Sequence, residues 1–148
     1  MVEPSRDSPR IFEEGDLRHL LAREVQRCTR YQDFLTLCLV RPAYPGRPVV
    51  ALQNAVAQEI AEMLRATDFV GLIGDDVAVL LVHTPLVDGT LIGERIRERI
   101  EATTFSLITS SPVTLHIGLS CFPTDATADG ALLAHAHAQL QAAPRAGA

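Results

Sequence analysis

The chain has no apolar run approaching the roughly eighteen residues that a membrane span requires. Residues 1–10 are polar and lack the apolar core of a signal peptide, so a cytoplasmic location is expected. Positive charge is scarce: 13 Lys and Arg stand against 18 Asp and Glu, a formal net charge of −5. That balance excludes the broad basic face of a nucleic-acid or anionic-membrane binder. Cysteine is sparse too. Cys28, Cys38 and Cys121 are odd in number, far apart and without a Cys-x-x-Cys pair. They read as reduced core residues, with neither a disulfide framework nor a metal set. What is present is a chain of 148 residues, 47% hydrophobic and 21% charged, the size and composition of one compact domain.

Residues 1–14 hold two prolines and mixed charge and read as a flexible leader. Asp16 is a candidate N-cap for a first helix, in which Leu17, Leu20, Leu21, Val25, Cys28 and Tyr31 recur at helical spacing. Arg18, Arg23, Arg27 and Arg30 lie mostly off that stripe, as a solvated face. The near-continuous apolar run Phe34–Val40 predicts a central strand covered on both sides, followed by a proline-rich loop from Arg41 to Pro48. Leu52, Val56, Ile60 and Met63/Leu64 mark a second helix ending at Arg65. Two short apolar strands then flank a polar Gly-Asp-Asp link, which predicts a β-hairpin with Asp75 and Asp76 at its tip. A third helix is expected over Asp88–Ile100, a strand over Val113–Ser120 and a last helix from Ala131 to Leu140. The domain spans residues 15–143, with a frayed tail at 144–148 and no internal repeat. The order helix, strand, helix, strand, strand, helix, strand, helix predicts an α/β (α+β) sandwich with a mostly antiparallel central sheet flanked by helices.

The hairpin carries a resemblance. Arg65 and Asp68 form Arg-x-x-Asp, five residues follow, and then come Gly74, Asp75, Asp76, Val77 and Ala78. The spacing resembles the centre of a GGDEF domain, the domain of diguanylate cyclases, with a signature altered at its second, fourth and fifth positions. The resemblance covers roughly residues 16–143, and the GGDEF fold has the element order read above. It implies a reaction in which two domains each present one GTP and two divalent metals neutralise the triphosphate. Hard cations of that kind take carboxylate ligands. Where the family places a carboxylate at the end of the first strand, this chain has Arg41; the third signature position keeps one, Asp76. Asp75 adds bulk and negative charge where the family has a second glycine, Val77 replaces a glutamate, and the segment after the first strand is shortened to Tyr44–Ala51. Pro144 aligns with a phosphate-binding lysine. The resemblance therefore implies a degenerate GGDEF domain without cyclase activity: no catalytic residue, no metal and no cofactor.

Arg65 and Asp68 match the family's inhibitory site for cyclic di-GMP, and Arg95, in the run Gly93-Glu94-Arg95-Ile96-Arg97, matches its second arginine. Guanidinium groups fork onto phosphates and guanine edges, and a carboxylate accepts from guanine N–H donors. The same residues also fit a structural pair that binds nothing. Two functional expectations follow: a regulatory module that binds a protein partner or a second copy of itself, and a cyclic di-GMP receptor acting through Arg65, Asp68 and Arg95. Other candidates are weaker. His135 and His137, two apart on a helix, point to nearly opposite sides. His116 reads as a core group in mid-strand, and His83 ends a strand with no visible partner.

Overall fold

The computed structural model describes residues 10–43 and 49–142. Its elements run β1 (Ile11–Phe12), α1 (Glu14–Tyr31), β2 (Leu35–Ala43), α2 (Val50–Glu62), β3 (Phe69–Ile73), β4 (Asp76–Val82), α3 (Leu86–Ala102), β5 (Thr114–Phe122) and α4 (Asp129–Ala142). The five strands form one sheet in the order β1-β3-β4-β2-β5. Every pairing is antiparallel except β1 with β3.

The two central strands show why the sheet closes as it does. All seven residues of β4 are buried, as are Leu35 to Val40 of β2. Such continuous apolar runs need cover on both faces. On one face Leu52, Val56 and Ile60 of α2 and Ile96 and Ile100 of α3 pack on Cys38, Val40, Val79 and Leu81. On the other, Leu17, Leu21 and Val25 of α1 and Leu132, Ala136 and Leu140 of α4 pack on Leu35, Leu37, Leu39 and Leu80. The three cysteines are free and buried. Among the described residues no helix is long and apolar enough to cross a membrane.

Several boundaries differ from the sequence reading. The expected leader lies outside the described residues as far as residue 9, but Ile11 and Phe12 pair with Val70 and Gly71 as β1. Phe12 also meets Phe69 edge to face at 5.9 Å, so apolar contact orders this segment. Helix α1 begins at Glu14. Its N-cap position is Glu13, without a side-chain cap, and Asp16 lies in the first turn, where its charge suits the helix dipole. Helix α2 ends at Glu62, which leaves Arg65 in the turn beyond it. Strand β2 runs on through Arg41, Pro42 and Ala43. Proline is tolerated there because pairing with β4 stops at Val40↔Val77. Past that point an N–H missing on the β4 side leaves no ladder bond unmade. The rest of the expected loop, residues 44–48, and the tail 144–148 lie outside the described residues.

Candidate functional site

Two helices besides its own strands build the turn of the hairpin. Gly74 turns the chain with φ +56°, a left-handed conformation that glycine adopts at no steric cost. From α2, the buried Gln53 donates Nε2–H to the carbonyls of Gly74 and Asp76, both at 2.9 Å. From α1, the Glu14 carboxylate accepts the Gly74 N–H at 2.8 Å. That bond, helped by Arg18, holds the Glu14 carboxyl below its ordinary pKa. The turn is thus clamped from both faces of the sheet, while Gly74 and Asp75 stay exposed.

Asp76 opens β4 with a side chain only 6% exposed. Register explains its partner: Val40 sits opposite Val77, and one step further along brings Arg41 opposite Asp76. The guanidinium grips both carboxylate oxygens, Nε to Oδ1 at 2.8 Å and Nη2 to Oδ2 at 3.1 Å. A buried carboxylate left unpaired would be costly, and a forked cation neutralises it while bonding both of its oxygens. The bond raises the Arg41 pKa above its ordinary value. Among the described residues, no group of three or more His, Cys, Asp or Glu side chains is placed to hold a metal ion. A divalent cation needs carboxylate oxygens of its own. Here Arg41 lays a fixed positive charge against both oxygens of Asp76, and no cluster of further ligands surrounds it, so the described residues do not fit a catalytic metal.

At the opposite end of the hairpin, Arg65 and Asp68 meet. The Asp68 side chain is 2% exposed, and each of its oxygens accepts twice. Oδ1 takes the Val82 N–H at 3.0 Å and Arg65 Nη2 at 3.2 Å. Oδ2 takes the Arg65 N–H and Arg65 Nε, both at 3.2 Å. A carboxylate has about four lone-pair positions, and all of them are used. Arg65 Nη2 reaches on to the Val82 carbonyl at 2.6 Å and Thr84 Oγ1 at 3.0 Å. The Arg-x-x-Asp pair therefore ties the turn after α2 to the end of β4. The Arg65 side chain remains 54% exposed. Arg95 lies on the exposed face of α3 and contacts neither Arg65 nor Asp68 through any hydrogen bond or ion pair among the described residues.

A family model, the diguanylate cyclase GGDEF domain, matches residues 51–148. The chain belongs to the GGDEF family. No curated protein matches it. Among solved structures, it superposes on the GGDEF domain of YfiN (TpbB) from Pseudomonas aeruginosa with a TM-score of 0.81 at 22% identity, over 93% of this chain and 92% of that one. The GGDEF domain of DgcB from Caulobacter crescentus, solved with c-di-GMP, gives 0.75 at 14% identity over 99% and 92%. The diguanylate cyclase SiaD of Pseudomonas aeruginosa, solved with its activator SiaC, gives 0.73 at 22% over 93% and 56%. Likeness at these identities establishes the fold.

Of the residues singled out in the sequence, the GGDEF fold brings Gly74, Asp75, Asp76, Val77 and Ala78 to one hairpin and joins Arg65 to Asp68, while Arg95 stands apart. Val77 and Ala78, at signature positions, are buried core residues here. Two histidine readings are corrected. His83 has a partner, the Asp33 carboxylate, which also binds Arg27 Nη1 at 2.7 Å. His116 is half-buried beside Arg41 in the register and so is no core group. The residues missed by sequence reasoning are Glu14 and Gln53. A glutamine inside an apolar helical stripe was the available signal for the second. Glu14 had none, because its partner lies sixty residues away.

Proposed function

We propose that this GGDEF domain has lost diguanylate cyclase activity and acts as a protein-interaction module in bacterial cyclic di-GMP signalling, through a protein partner or a second copy of itself. The Arg41–Asp76 ion pair carries the reading. It puts a guanidinium where the family's chemistry asks for divalent cations, with its positive charge against both oxygens of the surviving carboxylate. The doubly clamped tip, Gly74 and Asp75, supports recognition, since a rigid exposed turn loses little freedom on binding. Exposed apolar side chains support it as well: Val87 and Leu91, one turn apart on α3, are 70% and 58% exposed. SiaD shows that a diguanylate cyclase can bind a protein activator.

The second reading is a cyclic di-GMP receptor. The half-exposed guanidinium of Arg65 and the exposed Arg95 favour it, as does DgcB, solved with that ligand. The saturated carboxylate of Asp68 weighs against it, because a guanine edge would have to displace a bond already made.

Incubating purified protein with GTP and Mg²⁺ or Mn²⁺ tests the first claim; the expected result is neither pppGpG nor cyclic di-GMP. Metal-dependent product that disappears in Asp76→Ala would overturn it. Calorimetry with cyclic di-GMP separates the two readings. The absence of heat leaves the interaction module, whereas micromolar binding abolished by Arg65→Ala establishes the receptor.

A further inference from the structure

Among the described residues, strand β5 is an outer strand of the sheet, paired only with β2. An edge strand of nine residues presents a row of N–H and C=O groups that can template pairing with another chain. In an antiparallel ladder these groups face the partner and the open side alternately. On β5 the amides at odd positions face outward, and side chains from both flanking helices and from the loop before α4 close over them. The Leu115 N–H donates to Glu101 Oε2 at 3.0 Å, and Arg97 Nη1 donates to the Leu115 carbonyl. The Leu119 N–H donates to Gln139 Oε1 at 3.1 Å. The Cys121 N–H donates to Asp125 Oδ2 at 2.9 Å, and the Asp125 N–H returns a bond to the Cys121 carbonyl at 2.7 Å. Of the four outward amides between 115 and 121, three are held by side chains of the described residues, leaving that of Ile117 between them.

The helices can reach the edge because they lie close against β5. A Cβ at Gly118 would fall 2.1 Å from the Ala136 carbonyl oxygen of α4. On the other face Gly93 of α3 lies over Ile117 and Leu119. Arg97 and Glu101 sit one turn apart on α3 and grip the donor and the acceptor of the same residue.

We propose that Arg97, Glu101, Asp125 and Gln139 are guards of the β5 edge, and that the occupant they exclude is β5 of a second copy of this chain. An edge strand is self-complementary in the antiparallel sense: two copies can meet about a twofold axis and extend the sheet from five strands to ten. With the guards in place, each approaching strand would have to displace bonds already made. The β5 edge of the intact domain is therefore closed to self-association.

The test uses the full chain carrying Glu101→Ala, Asp125→Ala and Gln139→Ala, studied by sedimentation velocity over a concentration series and by amide hydrogen exchange. The expected result is a faster boundary that grows with concentration beyond that of the wild type. Exchange at residues 115–121 should slow as the concentration rises. Glu101→Gln alone keeps an acceptor for the Leu115 N–H and should behave as wild type, which separates hydrogen-bond guarding from charge. A folded triple variant that sediments as the wild type, with edge exchange independent of concentration, overturns the proposal. If the triple variant fails to fold, Gln139→Ala decides alone. Its side chain is exposed, and concentration-dependent protection at Leu119 supports the proposal while its absence in that variant refutes it.

Discussion

Arg41 and Asp76 show how a forked side chain satisfies a buried carboxylate. All thirteen basic residues of the chain are arginines, and a forked guanidinium can match both carboxylate oxygens, which an ammonium cannot. Arg41→Ala strands a buried carboxylate. The Arg41 side chain is 37% exposed, so water offsets part of the loss, and the cost should be about 1–2 kcal/mol. Urea unfolding will measure it, and Arg41→Lys should recover only part. Arg41→Asp places two carboxylates side by side, which is the arrangement a hard cation seeks. Its melting temperature should rise on adding Mn²⁺, while that of the wild type stays unmoved. Asp68→Asn keeps the size but loses charge and one acceptor oxygen, at a cost of about 1–3 kcal/mol in the same assay.

Between elements, the decisive contacts are those of side chains with distant backbone. Glu14 links α1 to the hairpin turn, and the sign of its pH effect follows from its lowered pKa. The carboxylate form is the one bonded to Gly74, so the stabilisation is fully present above the ordinary value of 4.5. It is lost as pH falls through the lower folded-state value. Melting curves of wild type and Glu14→Gln should therefore differ most at neutral pH and converge in acid; a gap that widens on acidification would contradict the bond. The α4–β5 contact makes a second prediction. The Cβ of Gly118→Ala would strike helix backbone at 2.1 Å, which no rotamer change relieves. The variant should lose about 1–3 kcal/mol or more in chemical denaturation, with α4 the first element to lose hydrogen-exchange protection.

For the whole molecule, two apolar layers lock the sheet so that the hairpin tip and the Arg65–Asp68 clasp occupy opposite ends of β3 and β4. A ligand at one end would have to act on the other through the rigid strands between them. The clasp also bears on stability. Arg65→Ala removes donors from Asp68, the Val82 carbonyl and Thr84 together, so it should lower the melting temperature whether or not the domain binds cyclic di-GMP. An unchanged melting temperature would show that Arg65 is free for a ligand.

The eight principal elements, the mixed sandwich and the hairpin were legible because each rests on local periodicity: Leu17, Leu21 and Val25 along one helical face, or the unbroken apolar run of β4. Spacing within the chain likewise carried the Arg-x-x-Asp and signature positions. Strand β1 was hidden, since two residues carry no period and take their order from Phe69, Val70 and Gly71 far along the chain. The sequence by itself determined which charges the hairpin face would hold, because residue identity puts an arginine at position 41 and a carboxylate at position 76. Tertiary structure alone decided what those charges do. Arg41 closes on Asp76, and Asp68 spends its acceptors on Arg65 and on the Val82 N–H, because strand register, which no local pattern encodes, brings Arg41 to Asp76 and the end of β4 to Asp68.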